Sequence, residues 1–224
     1  MITTYADLEQ GSEEWLAARC GLLTASTVGR LITPSTLKVA DNETSRGLTL
    51  TLAAERITGH VEYVHPTYDM QRGTEDEPYA RDVYAEAHAP VDEIGFVTLE
   101  QDGYKIGYSP DGYVGADGLI EIKSRKPEKH IAHVLAGKPP AYNMAQMQAG
   151  MFITGRKWCD YISFSGGLPL WTHRVFPDPR WFTAIDAAAL AFEDNVANIV
   201  DKFTTATEGL PQTERRLEIE ELMF

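Results

Sequence analysis

The sequence predicts an α/β domain with a mixed central sheet, flanking helices and helical additions at both ends. Three observations predict it. The middle of the chain reads helix–strand–strand–strand–helix–strand, an order that lays helices against a sheet. An Asp102-Gly103 pair between two strand-like runs marks a tight hairpin, so the sheet holds antiparallel neighbours. With 43% hydrophobic and 24% charged residues in 224, the chain can bury a sizeable core beneath a polar surface.

Residues 12–20 read as a short helix: Ser12 caps it, Glu13 and Glu14 suit its first turn, and Gly21 follows its end. A second helix starts near Ser26, with Val28, Leu31 and Ile32 facing inward. Residues 33–46 are polar and irregular, long for a connector, and such loops are often functional or mobile. Leu48, Leu52 and Ile57 carry helical spacing over 47–58, which stops at Gly59. A helix covers much of 70–88, where Pro78 requires either a start near Glu77 or a kink. Strand-like runs follow at 93–100, 104–109 and 119–123. A helix at about 142–154 leads to strands at 158–164 and 170–176. A long helix with an Ala-rich centre then covers about 179–203. The tail, about 205–224, with Gly209, Pro211 and a charged stretch from Glu214 to Glu221, is expected to be mobile.

Several function classes recede. No apolar run reaches the roughly 18 residues of a membrane span. The stretch Met1 to Asp7 lacks the basic and apolar regions of a signal peptide. Cys20 and Cys159 have neither CxxC spacing nor a histidine at zinc-finger distance, so they read as free thiols in a reducing cytoplasm. A net charge of −13 counts against a general DNA binder, which is usually basic. It leaves room for an enzyme that holds DNA in a local basic groove and cations on carboxylates.

The informative segment is Ser109-Pro110-Asp111-Gly112 followed by Glu121-Ile122-Lys123, with nine residues between Asp111 and Glu121. Asp111 stands just past a strand end, in a Pro/Gly turn. Glu121 and Lys123 are two apart on a strand and project from one face, while Ile122 points into the core. A hairpin-like return from 111 to 121 brings Asp111 beside Glu121. Two carboxylates can hold a hard cation such as Mg²⁺. The metal lowers the pKa of a bound water and neutralises phosphate charge. A neighbouring lysine can orient the water or stabilise the developing oxyanion. The same spacing also occurs on solvated sheet faces; the turn at Asp111 and the acids Glu75, Asp76 and Glu77 on the preceding helix set this instance apart. Glu75 and Asp76 read as solvated. Lys123, Arg125, Lys126 and Lys129 form a basic run that is either a contact to the DNA backbone or a solvated loop. His130 and His133, three apart on a helix, read as surface histidines rather than a metal pair.

Asp-(x9)-Glu-x-Lys in this strand order resembles the PD-(D/E)XK nuclease core. Four segments in order resemble lambda exonuclease and its YqaJ-type phage relatives. They are Trp15 to Ser26, with Arg19, Gly21, Thr24 and Ala25; Arg72-Gly73 to Glu77 and Ala80; the Asp111/Glu121/Lys123 motif; and Met144-Ala145-Gln146-Met147-Gln148. They run from about residue 10 to 165. The resemblance implies a single nuclease domain over 1–224 with its catalytic core at about 70–165. Asp111, Glu121, the Ile122 backbone carbonyl and Glu77 would be metal ligands, and Lys123 would act on the water. Mg²⁺ is the implied cofactor, with Mn²⁺ as a substitute. Arg19, Ser26, Ser109 and Gln148 would bind the 5′ phosphate; a guanidinium, hydroxyls and an amide suit phosphate oxygens. Ser26 can equally be a helix N-cap. Of Gln146 and Gln148, which face different directions, one lines the site and the other packs. Trp15 reads as a core anchor. The resemblance further implies 5′-to-3′ digestion of double-stranded DNA from its ends, leaving a 3′ single strand for phage-type recombination. It also implies a homotrimer ring around the DNA, a single-strand annealing protein as partner, no membrane, and action in a bacterial host cytoplasm. A sequence-specific endonuclease on the same core and a catalytically silent DNA-binding or assembly module are the alternatives.

Overall fold

A computed structural model describes residues 1–215; residues 216–224 of the expected mobile tail lie outside the described residues. The chain runs β1 (Ile2–Tyr5), α1 (Glu13–Arg19), β2 (Leu23–Thr24), α2 (Ala25–Val28), a 3-10 turn over Gly29–Leu31, β3 (Ile32–Thr33), β4 (Lys38–Val39), α3 (Glu43–Thr58) and α4 (Tyr68–Ala87). It continues through β5 (Phe96–Gln101), β6 (Tyr104–Tyr108), β7 (Gly112–Val114), β8 (Gly118–Ser124), α5 (Pro127–Ala136), α6 (Ala141–Thr154), β9 (Trp158–Phe164), β10 (Trp171–Val175) and α7 (Pro179–Ala206).

The α/β class and its mixed strand directions are as expected, but hydrogen bonding divides the sheet into two. One has the order β1-β5-β6-β2 and the other β10-β9-β8-β7, with β3-β4 as a small separate hairpin. Each four-stranded sheet is mixed: β6 pairs β2 in parallel and β5 antiparallel, and β8 pairs β9 in parallel and β7 antiparallel. The segment 109–111 joins β6 to β7 and so bridges the two sheets. The acidic motif sits at that junction.

Two cores hold the layers in place. α6 packs on β5 and β6 of one sheet and on β8 and β9 of the other. Its Ala145, Met147, Ala149, Met151 and Ile153 are buried in the larger core, with Ile185, Ala188, Phe192 and Val196 of α7. These α7 residues recur every three or four positions, the stripe that turns an amphipathic helix onto a core. On the other face of β8, Ile120 and Ile122 meet Ala80 and Tyr84 of α4 and Ile162 and Phe164 of β9. Each fully buried Ile or Phe side chain contributes about 1.5–3 kcal/mol. The period-2 alternation of β8 thereby sends Ile120 and Ile122 beneath α4 and Leu119 and Glu121 to the opposite side.

Several boundaries differ from expectation. The polar stretch 33–46 contains all of the β3–β4 hairpin except Ile32, and the first turn of α3. Asn42 caps that helix, its side chain accepting the Ser45 N–H in a reciprocal box, so capping chemistry starts the helix before any apolar residue does. α4 starts at Tyr68, capped by Thr67, and runs on through Pro78. β1 and β7 are too short to show a period, and α5 begins within the basic run and carries the helix expected at His130 and His133. Among the described residues no helix is long and apolar enough to cross a membrane.

Candidate active site

The turn after β6 sets Asp111 against β8. β7 pairs with β8 only from Gly112↔Ile120 to Val114↔Gly118, leaving the later part of that edge open. The Ile122 backbone N–H donates to Asp111 Oδ2 at 2.6 Å, so a side chain continues the ladder where the strand stops. The N–H and C=O of one strand residue point to the same side. The Ile122 carbonyl is therefore directed to this open edge beside Asp111. Gly112 is required at the turn: a Cβ there would stand 2.3 Å from the Val91 side chain.

Glu121 is 0% exposed, and its Oε2 has no hydrogen-bond donor. Its partner is Lys123, whose Nζ forms an ion pair with Oε1 at 2.5 Å. Burial pushes Glu121 up to about 7 despite Lys123, with Asp111 and Glu77 adding repulsion. Glu77 is also pushed up to about 7, by burial first and then by Asp111, against the pull of Arg81 and Lys123. Asp111 lies above the usual carboxylate range because burial outweighs Lys123, the Ile122 N–H and Arg81. Burial works against the Lys123 charge, yet Glu121 and Asp111 hold it above the usual lysine range. Three carboxyl groups thus converge on one ammonium, Lys123, and one guanidinium, Arg81, and burial still raises all three above their usual range.

Glu77 reaches the site from α4 by way of Arg81, which sequence reading did not single out. Arg81 donates to Glu77 Oε1 at 2.7 Å, to the Asp111 carbonyl at 2.8 Å and pairs with Glu93 at 2.7 Å. The signal for it was its place four residues after Glu77, on the same helix face. Asp76, expected to be solvated, accepts from Ser124 Oγ at 2.6 Å, and Ser124 accepts from Arg72 Nε at 2.9 Å.

These groups open into a cleft of about 350 Å³ lined by residues including Arg72, Glu77, Asp111, Ile122, Lys123, Arg125, Lys126 and Lys129. Of the basic run, Lys126 and Lys129 are exposed on the rim. Arg125 is partly buried and donates to Asn143 Oδ1 at 2.9 Å. His130 is not a surface histidine: it is 2% exposed, with Nδ1 at 2.9 Å from Ser163 Oγ, because the α5 face carrying it lies on β9.

The expected phosphate group assembles in part. Arg19 Nη1 donates to Ser109 Oγ at 3.0 Å, and the Trp15 indole donates to the same oxygen at 2.9 Å. The Arg19 guanidinium lies 4.0 Å from the Trp15 ring centroid. Trp15 is thus no core anchor: it is half-buried, and α1 buries none of its residues. Burial lowers Arg19 to about 10, with Glu55 pulling the other way, so it stays cationic at neutral pH. Ser26 is exposed in the first turn of α2, and the cap of that helix is Thr24. β2 and β6 pair in parallel at Thr24↔Gly107, so Ser26 and Ser109 each lie two residues past this pair, at one end of the sheet. Gln148 does not join them. It is fully buried, donating to the Phe176 carbonyl and accepting from the Asp178 N–H, both at 2.9 Å. Its amide is consumed in fastening the start of α7, and Gln146 is the partly exposed member of the pair.

Among the described residues no three His, Cys, Asp or Glu side chains form a preformed metal cage. The donor set still fits Mg²⁺, which is commonly bound by one or two carboxylates and keeps several waters. Asp111, Glu121 with its donor-free Oε2, and the Ile122 carbonyl supply hard oxygen donors, with Glu77 reaching in from α4.

Residues 14–157 match the family model described as the YqaJ-like viral recombinase domain. Among solved structures, the alkaline exonuclease LHK-Exo from Laribacter hongkongensis is 33% identical, with a TM-score of 0.79 over 89% of this chain and 100% of that one. The same protein in complex with dAMP matches with a TM-score of 0.78. A phage-related exonuclease from Haemophilus somnus 129PT shares the fold, at 14% identity and a TM-score of 0.59 over 81% of this chain and 96% of that one. A search of curated protein sequences gives no match.

Proposed function

This chain belongs to the YqaJ-like viral recombinase domain family, and on that premise we propose that it is a Mg²⁺-dependent exonuclease. It digests double-stranded DNA in the 5′-to-3′ direction from duplex ends and leaves a 3′ single strand. The carrying observation is Glu121: a fully buried carboxylate whose one charged contact is Lys123, beside Asp111, with Asp111 and Lys123 both lining a basic-rimmed cleft. The likeness to an alkaline exonuclease over nearly the whole chain supports the reaction class.

Asp111, Glu121 and the Ile122 carbonyl would hold Mg²⁺, for which Mn²⁺ can substitute, with Glu77 as a further ligand or a partner of its bound water. Bound there, the cation supplies an acidified water and charge neutralisation at the phosphate. Lys123 donates hydrogen bonds from its ammonium, orienting the attacking water or stabilising the oxyanion that develops. Arg19 and Ser109 receive the terminal 5′ phosphate, with Trp15 holding the guanidinium in place. Lys126 and Lys129 meet the DNA backbone from the rim. The bound dAMP of the related enzyme accords with a nucleoside monophosphate product. The nuclease works as one domain in a homotrimer ring, hands its 3′ strand to a single-strand annealing protein, and acts in a bacterial host cytoplasm.

Linear duplexes labelled at the 5′ or the 3′ end, with 5′-phosphate or 5′-hydroxyl termini, test this reading beside a covalently closed circle. Early loss of the 5′ label, faster from phosphate ends and absent on the circle, is the expected result. Early loss of the 3′ label reverses the polarity, and cutting of the circle converts the reading to an endonuclease.

A further inference from the structure

Beside the cleft that Asp111 and Lys123 line stand two tyrosines that the proposed chemistry leaves unused. Tyr68 opens α4 and is 73% exposed; Tyr142 lies in the first turn of α6 and is 65% exposed. Each ring is backed by a guanidinium that itself lines the cleft. Arg72 Cζ lies 5.8 Å from the Tyr68 centroid, and Arg125 Cζ lies 5.7 Å from the Tyr142 centroid. Both distances fall within cation–π range. Lys126 and Lys129 extend the same rim. Asp69 and Met70 at the start of α4 and Lys126 and Lys129 at the start of α5 line the same cleft, so the two helix starts flank its opening.

We propose that Tyr68 and Tyr142 are stacking platforms for the bases of single-stranded DNA at the mouth of this cleft. The inference rests on the nuclease reading above and names how that site grips its strand. Five cationic side chains against three carboxylates line this cleft in a chain whose net charge is −13, a local complement to phosphate. Aromatic rings interleaved with such cations are what a single strand requires, because every base offers a π-face once it leaves the duplex. Paired bases in a duplex keep their faces against one another and have none to give a tyrosine. The cleft volume of about 350 Å³ suits a ligand of nucleotide size rather than a double helix.

The test compares binding of a fluorescein-labelled oligothymidylate with that of a strand of the same length built from abasic residues, by anisotropy in EDTA. Wild type is expected to prefer the strand with bases. Tyr68→Ala and Tyr142→Ala should each erode that preference by roughly fivefold or more, and Tyr68→Phe and Tyr142→Phe should retain it. Equal affinity of wild type for both strands, or an unchanged ratio in both alanine variants, overturns the proposal. Hydrolysis of DNA by wild type in Mg²⁺ is measured separately. Its absence would remove the nuclease reading, while the binding ratio would still decide the role of the tyrosines.

Discussion

The Ile122 backbone N–H donates to Asp111 Oδ2 at 2.6 Å, so one carboxylate both finishes a sheet edge and faces the cleft. The two roles separate by substitution. Asp111→Asn keeps an acceptor for Ile122 and discards the charge that burial disfavours. Asp111→Ala leaves a buried N–H unpaired, at a cost of about 1–3 kcal/mol. In urea unfolding at pH 8 without metal, Asp111→Asn should match or exceed wild type in stability and Asp111→Ala should fall below Asp111→Asn by that amount. Equal stability of the two variants would remove the structural role.

Lys123 is the ammonium that touches Glu121 at 2.5 Å. Lys123→Ala should slow the chemical step by roughly 10²–10³-fold, the loss typical of removing one preorganised oxyanion donor. DNA affinity should be largely kept, since Lys126 and Lys129 remain on the rim. A single-turnover rate equal to wild type in saturating Mg²⁺ would exclude Lys123 from the mechanism.

Arg19 and Gln148 part company. Arg19→Ala should reduce the preference for 5′-phosphate over 5′-hydroxyl ends, read as the ratio of kcat/KM on the two substrates. Gln148→Ala should leave that ratio intact and lower stability by about 1–3 kcal/mol, because the Phe176 carbonyl and the Asp178 N–H lose their partner. A Gln148 variant with normal stability and no phosphate preference would restore it to the pocket.

Metal and pH are linked through Glu77 and Glu121, both pushed up to about 7 in the metal-free fold. An unfolded glutamate titrates near about 4.3. Between these values the folded chain keeps protons that the unfolded chain releases. Their contribution to stability is full below the unfolded value, declines as pH rises through the window and is gone above about 7. Mg²⁺ requires the ionised ligands. The Tm in EDTA should therefore fall from pH 5 to pH 8, and Mg²⁺ should raise it more at pH 8 than at pH 5. At a metal concentration of about 100 times Kd the gain is about 2.7 kcal/mol, or roughly 5–10 °C for a chain of this size. Equal Mg²⁺ increments at both pH values would contradict the ligand set.

The legible part of the fold was the part with strong local signals. The Asp102-Gly103 turn, the apolar run of β9 and the periodic stripe of α7 all lie where the sequence places them. β1 and β7 are too short for a period, and the start of α3 depends on Asn42 capping rather than on hydrophobicity. Asp111, Glu121 and Lys123 converge as their spacing on a turn and a strand requires. The Trp15 contact to Ser109 and the Arg81 contact to the Asp111 carbonyl were not legible, because tertiary packing sets them: Ser109 lies 94 residues from Trp15 and the Asp111 carbonyl 30 residues from Arg81. Gln148 was misread because an amide on a helix face carries no sign of whether it meets a ligand or a backbone, and here burial decides for the backbone.

The most direct measurement of the central claim is a time course on 5′-phosphorylated linear duplex DNA with Mg²⁺ or EDTA, for wild type beside Asp111→Asn and Glu121→Gln. The account predicts Mg²⁺-dependent nucleotide release by wild type, none in EDTA, and a loss of roughly 10²-fold or more in both folded variants. Near-normal release by either variant, or release by wild type in EDTA, would contradict the assignment of Asp111 and Glu121 to the metal centre.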